Sequence, residues 1–205
     1  GAFDGWMLLL REHGTMGLRD VMQPAIDYAR DGHPMLPRVS DTIADLAGFF
    51  AKEWPTSAAV WTPDGTPPAP HALFRNPDLA ATYDRLATLG EKSSDDRRSQ
   101  IDAARAEWRE GFVAEAIFDY LKEANVMDVS DSRHRAVLAR SDMADWSATF
   151  ETPLSYEYHG WTVHKTHPWS QGPVLLQALA IQRTAAQEAP STEDRDLRQR
   201  FLDTL

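Results

Sequence analysis

The chain has no cysteine among its 205 residues. That excludes a disulfide, a thiolate nucleophile and any zinc or iron-sulfur site built on Cys, but it leaves the compartment open, because disulfide-free proteins occur everywhere. Long apolar runs are missing too. The longest, Trp6 to Leu10, falls far short of the ~20 residues that cross a bilayer as a helix, so no transmembrane segment is expected. Positive charge is in deficit: 21 Lys and Arg stand against 31 Asp and Glu, for a formal net charge of -10. Nucleic-acid affinity comes mostly from cations that displace counterions from phosphates, so nucleic acid is excluded as a main partner.

What is present suits a soluble globular domain. Hydrophobic residues make up 42% and charged residues 25%, near the averages for such chains, and the length suffices for a sizeable core. Gly1-Ala-Phe-Asp-Gly-Trp lacks an initiator Met and a basic leader and enters a patterned segment at once, so it reads as a cut. Leu197, Phe201, Leu202 and Leu205 keep helical spacing to the last residue, and the C-terminus reads the same way.

Apolar spacing of i, i+3, i+4 and i+7 is the main signal along the chain. Phe3, Trp6, Met7 and Leu10 predict a first helix closed by His13-Gly14. The stretch from Gly17 to Gly32 predicts a second that starts or bends near Pro24, because proline lacks the amide and crowds the preceding turn. Residues 39–50 predict a third helix. From Pro55 to Pro77 the composition turns to Pro, Gly, Thr and Asp, which predicts an irregular surface connection. Residues 78–89 predict a helix stopped by Gly90, residues 91–100 an exposed loop, and residues 101–124 one helix or two meeting at Gly111. Residues 126–141 are irregular, and a short helix follows at 142–147.

The period then changes. Leu154 to Tyr158 and Trp161 to Thr166 are rich in β-branched and aromatic residues, with His159-Gly160 between them as a two-residue turn. A helix is predicted from Val174 to about Gln187. The fold class is therefore mainly α: a multi-helical domain with one small β-hairpin at about 154–166, the hairpin and its following helix occupying about 153–187.

Few residues offer chemistry. No His-x-x-x-His pair is present, and His159, His164 and His167 lie in or beside the hairpin without a spacing that implies a metal site. Asp95-Asp96 and Asp142 with Asp145 are explained by their place at helix starts, where acids offset the macrodipole. There is no Gly-x-Ser-x-Gly elbow and no Ser-x-x-Lys. No catalytic residue, metal or cofactor is assigned. The remaining candidate is the turn at Trp169, Ser170, Gln171 and Gly172, which leads into an apolar helix whose first amides lack partners. These four residues either cap the helix and cover a core edge or line a substrate cleft.

That same segment carries a resemblance. His167-Pro-Trp-Ser-Gln-Gly-Pro-Val-Leu-Leu-Gln-Ala-Leu179 resembles the Pro-Pro-Ser-Ser-Gly-Gly turn and Leu-Leu-Gln-x-Leu helix of the gamma-glutamyltranspeptidases, or glutathione hydrolases. Leu138-Ala-Arg-Ser-Asp-Met-Ala-Asp-Trp and Pro153-Leu-x-x-x-Tyr-x-Gly-Trp precede it in the order of that family's Leu-Thr-x-x-Asp-Leu-Ala-x-Tyr and Pro-Leu-x-x-x-Tyr-x-Gly-Tyr elements. Upstream, Glu107 to Ile117, His13 to Leu18 and Gln23 to Gly32 resemble further family segments, so the likeness spans nearly the whole chain. The departures are the second serine and second glycine of the turn, replaced around Gln171 to Pro173, and the charged stretches at 91–100 and 126–140.

The resemblance implies an αββα N-terminal nucleophile hydrolase, of which residues 1–205 are the helical region of the large subunit. Such a precursor cleaves itself before a threonine, whose new amino group serves as base for its own hydroxyl. The small subunit so released is the implied partner, and a gamma-glutamyl compound such as glutathione the implied substrate. Thr166, Thr184 and Thr204 lack the Thr-Thr-His-like context of that nucleophile, so the piece alone is expected to be inactive and to expose apolar surface that favours self-association. A cephalosporin acylase of the same superfamily and a non-catalytic helical interaction module are the alternatives. Family members are frequently exported.

Overall fold

A computed structural model describes residues 1–188, and these divide between two compact units, 1–149 and 150 onward. The predicted helical pattern at 194–205 lies outside the described residues.

The first unit is built on four helices: α1 (Ala2–His13), α2 (Leu18–Asp31), α5 (Pro77–Ser93) and α6 (Arg97–Arg109), with α3 (Pro37–Glu53) and α4 (Pro55–Trp61) inserted between the second and third. Leu18, Met22, Ile26 and Ala29 fall on one face of α2 and meet Leu86 and Ala87 of α5 and Ile101 and Ala104 of α6. Leu18, Leu86 and Ile101 are almost wholly buried, each contributing about 1.5–3 kcal/mol of hydrophobic stabilisation. Of the two expectations for Pro24, a helix start is ruled out: α2 begins at Leu18 and carries Pro24 inside it, up to the C-cap Gly32 at φ +104°. The buried stripe on both sides of Pro24 holds the helix together despite the missing amide.

Helix α4 occupies the start of the Pro- and Gly-rich segment expected to be irregular from 55 to 77, and its end forms a strand. Pro55 sits in the first turn of α4, where no amide is needed. Strands β1 (His33–Pro34) and β2 (Leu73–Phe74) pair antiparallel, His33 opposite Phe74. Trp61 stacks on Phe74 at 4.8 Å, and the Ser40 hydroxyl donates to the Pro68 carbonyl at 2.6 Å.

Gly90 does not stop α5. It is buried inside the helix, and a Cβ there would lie 2.6 Å from Leu18 Cδ2 and 2.7 Å from the Gln100 carbonyl oxygen. Its role is close approach between helices rather than termination. The loop expected over 91–100 shrinks to 94–96, because Asp96 caps α6 by accepting the Ser99 amide at 2.8 Å. Over 101–124 the two-helix option holds: α6 ends at Arg109, and α7 (Phe112–Glu123) begins after Gly111.

Strands β3 (Val126–Met127) and β4 (Arg133–His134) form a second short ladder, and α8 (Arg140–Ala144) follows. The expectation of a single hairpin is therefore corrected: two further two-residue ladders exist. They are too short to leave an alternating pattern in the sequence.

In the second unit β5 (Leu154–Tyr158) pairs with β6 (Trp161–Lys165) through Tyr158 opposite Trp161. His159 at φ +48° and Gly160 at φ +84° make the two-residue turn, both in the left-handed region that matches the strand twist. Helix α9 (Gly172–Glu188) packs on this hairpin. The Tyr158 hydroxyl donates to Gln182 Oε1 at 3.2 Å, and Arg183 Nη1 donates to the Glu157 carbonyl at 2.8 Å.

Candidate functional site

The turn between β6 and α9 brings Trp169, Ser170, Gln171 and Gly172 together, and hydrogen bonds define what each can do. The Ser170 amide donates to the His167 carbonyl at 3.0 Å. The Ser170 hydroxyl accepts the Gly172 amide at 3.1 Å, lies 3.1 Å from the His167 carbonyl and is bonded to the Thr166 hydroxyl. One proton and two lone pairs leave a hydroxyl little further capacity, so Ser170 closes the turn. Gly172 is buried, and a Cβ there would lie 2.1 Å from the Thr166 carbonyl oxygen. Only glycine lets α9 begin so close to the end of β6.

Trp169 and Gln171 are the turn residues that face outward. Trp169 is 71% exposed, with its indole N–H donating to the Glu151 carboxylate at 2.9 Å. His167 Nε2 lies 2.7 Å from the Thr152 carbonyl, so that nitrogen is the donor and cannot also serve Ser170 as a base. The four residues thus split between holding the turn and presenting a surface at the start of a helix, where amides without helical partners favour anions.

The remaining reactive side chains do not assemble a hydrolytic centre among the described residues. Ser155 Oγ lies 2.8 Å from His164 Nδ1 on the exposed hairpin face, without a carboxylate to orient the imidazole. Ser130 sits between Asp128 and His134, but its proton goes to Asp128 at 2.6 Å and is not directed at the His134 ring. Asp96 is held below the usual carboxylate range by the Ser99 amide and then its hydroxyl. Asp142 accepts the Ala139 amide at 2.7 Å. No group of three or more His, Asp or Glu among the described residues is placed to hold a metal ion.

One buried charge was missed by sequence reasoning. Asp4 is 1% exposed and receives Arg105 Nε at 2.7 Å, Arg105 Nη2 at 3.1 Å and the Ala148 amide at 2.7 Å. Burial alone would raise its pKa. The Arg105 hydrogen bond, the Ala148 amide and the charges of Arg105 and Arg109 outweigh that and lower it. The signal was an acid three residues before Met7 on the buried face of α1. The arrangement ties α1 to α6 and to the strand-free segment after α8, a structural role rather than a chemical one.

The sequence of this scaffold can be set against known proteins. The family model described as gamma-glutamyltranspeptidase matches residues 1–205. The chain belongs to that family. Among gamma-glutamyltranspeptidase relatives, the glutathione hydrolase-like YwrD proenzyme of Bacillus subtilis is 30% identical over 183 residues, 88% of this chain and 30% of that protein. The acylase ACY 1 proenzyme of Pseudomonas sp. strain SE83 is 28% identical, over 88% of this chain and 28% of that protein. The solved structure of LmbA2991HD superposes with a TM-score of 0.83 at 50% identity, covering 88% of this chain and 31% of the other. The chain thus spans about three-tenths of the length of each of these three proteins.

Proposed function

We propose that residues 1–205 are the helical region of the large subunit of an αββα N-terminal nucleophile hydrolase that hydrolyses or transfers gamma-glutamyl groups. Glutathione or a related amide is the donor, and water, an amino acid or a dipeptide the acceptor. The observation that carries this reading is the family match over the whole chain. That two of the relatives are proenzymes supports processing of a precursor, which in this reading is self-cleavage into two subunits.

In this reading the nucleophile is a threonine outside residues 1–205, and these residues supply wall and support. The threonine hydroxyl attacks the gamma-carbonyl, its proton passes to the threonine's own amino group, and then to the departing amine. Water or an acceptor amine next releases the acyl group. Trp169 and Gln171 face the substrate side of the turn, while Ser170 and Gly172 keep its shape. In this reading the 205 residues alone turn nothing over, because the nucleophile lies outside them.

A second reading, an acylase acting on an acylated cephalosporin, draws on the 28% identity to acylase ACY 1. The test uses the full-length product of the parent gene. It is expected to split into two chains and to release nitroaniline from gamma-glutamyl-p-nitroanilide. Self-cleavage with turnover of the acylated cephalosporin alone would move the assignment to the acylase. An intact chain that turns over neither would overturn both and leave a helical interaction module.

A further inference from the structure

Glycine follows aspartate three times in the chain, at Asp4-Gly5, Asp31-Gly32 and Asp64-Gly65. In such a pair the glycine amide nitrogen can attack the aspartyl side chain, because no Cβ crowds its approach. Attack needs a neutral carboxyl and an amide released from its hydrogen bond, so the folded structure decides which pair reacts.

At Asp4 both conditions fail. The side chain is 1% exposed and held by Arg105 and the Ala148 amide, and the Gly5 amide donates to the Gly1 carbonyl at 3.1 Å in the first turn of α1. Asp31 is exposed, but Arg30 Nε and Nη2 donate to its two oxygens at 3.0 and 2.9 Å and hold its pKa down. The Gly32 amide closes α2 on the Tyr28 carbonyl at 3.0 Å, and the Asp31 carbonyl accepts Arg75 Nε at 2.9 Å. Asp64 is different: its carboxylate is exposed and has no partner among the described residues. It lies between α4 and β2 in the turn Thr62-Pro63-Asp64-Gly65, closed by the Gly65 amide donating to the Thr62 carbonyl at 2.8 Å. A Cβ at Gly65 would meet nothing within 4 Å, so a ring has room to form. An exposed turn bond opens far more often than a bond inside a packed helix.

We infer that Asp64 is the aspartate of this chain that converts spontaneously to isoaspartate in the folded protein. The Gly65 nitrogen bonds to Asp64 Cγ, the Cγ–OH bond breaks, and the hydroxyl leaves with the amide proton as water, giving a succinimide. Water then opens the ring. Cleavage between nitrogen and Cγ restores Asp64, whereas cleavage between nitrogen and the former backbone carbonyl carbon routes the chain through Cβ. The second product has unchanged mass and a free α-carboxylate in solvent, which is the substrate group of an isoaspartyl carboxyl methyltransferase. None of these steps depends on the enzymatic reading above.

The full-length parent protein is aged at mildly acidic pH and physiological temperature, natively and in guanidinium, and then digested. Electron-transfer fragmentation of the three Asp-Gly peptides separates isoaspartate from aspartate at equal mass, and methyl transfer to the isolated peptides by an isoaspartyl methyltransferase checks the count. In the native protein isoaspartate is expected to accumulate at Asp64 at least about tenfold faster than at Asp4 or Asp31, and in guanidinium the three rates should converge to within a few-fold. Native rates that are equal at the three sites would overturn the inference. A native rate at Asp64 more than about tenfold below its own rate in guanidinium would overturn it too, by showing the turn held shut.

Discussion

Gly90→Ala tests the packing of the helical unit by the sign of its effect. Replacing a glycine inside a helix with alanine ordinarily stabilises by about 0.8–1 kcal/mol, through backbone entropy. At Gly90 the new Cβ would stand 2.6 Å from Leu18 Cδ2 and 2.7 Å from the Gln100 carbonyl oxygen. Leu18 is 1% exposed and cannot swing away, and the carbonyl belongs to the backbone of α6. Overpacking of this kind costs about 1–3 kcal/mol or more, because helices must separate. The balance is a net loss of up to about 2 kcal/mol, or up to roughly 8 °C in Tm for a chain of this size. Gly48 in α3 is the control. It is exposed, and a Cβ there meets nothing within 4 Å, so Gly48→Ala should gain up to about 1 kcal/mol. Thermal and urea unfolding of the 205-residue chain, followed by helical circular dichroism, measures both. A stabilised Gly90→Ala protein would refute the assigned close approach of α5, α2 and α6.

Asp4→Ala leaves the Ala148 amide unpaired and the Arg105 guanidinium, 13% exposed, with only Asp102 at 3.3 Å as its carboxylate partner, and should cost up to about 3–5 kcal/mol at pH 7 by urea unfolding. The Asp4 pKa is lowered on folding. Its contribution is therefore full above the unfolded value near 3.9 and is lost as pH falls through the folded one. The difference between wild type and Asp4→Asn should accordingly shrink below about pH 4, and a constant difference down to pH 2 would contradict the assignment. Gly160→Val places a β-branched residue at φ +84°, at a cost of about 1–2 kcal/mol, visible as weakened cross-strand amide contacts by NMR. Gly172→Ala would put a Cβ 2.1 Å from the Thr166 carbonyl oxygen, and amide exchange in the first turn of α9 should accelerate at least about tenfold. Unchanged exchange would show that the turn has slack.

How much was legible depends on how far apart the deciding atoms lie in the chain. The apolar spacing of Leu18, Met22 and Ile26 and the His159-Gly160 turn are local patterns, and α2 and the hairpin form where those patterns place them. Gly90 looks like a stop in the sequence because a glycine near the end of a periodic run usually is one. The atoms that require glycine there come from Leu18 and Gln100, which no local window can show. Helix α4 hid in a Pro- and Gly-rich stretch because Pro55 opens a helix as readily as it marks a turn. In the turn at 169–172 the sequence named the residues, but the division of labour came from atoms of Glu151, Thr166 and His167.

By itself the sequence determined the mainly α class, the hairpin, the absence of thiol chemistry and, through ordered motifs from His13 to Leu179, the family. Those depend on periodicity and on residue identity along the chain. Only the tertiary structure decided that Asp4 is a buried anchor for Arg105 and Ala148 and that Ser170 is spent on closing its own turn. Each of these turns on distances between side chains and backbone of different segments, and such distances exist only once the helices have packed.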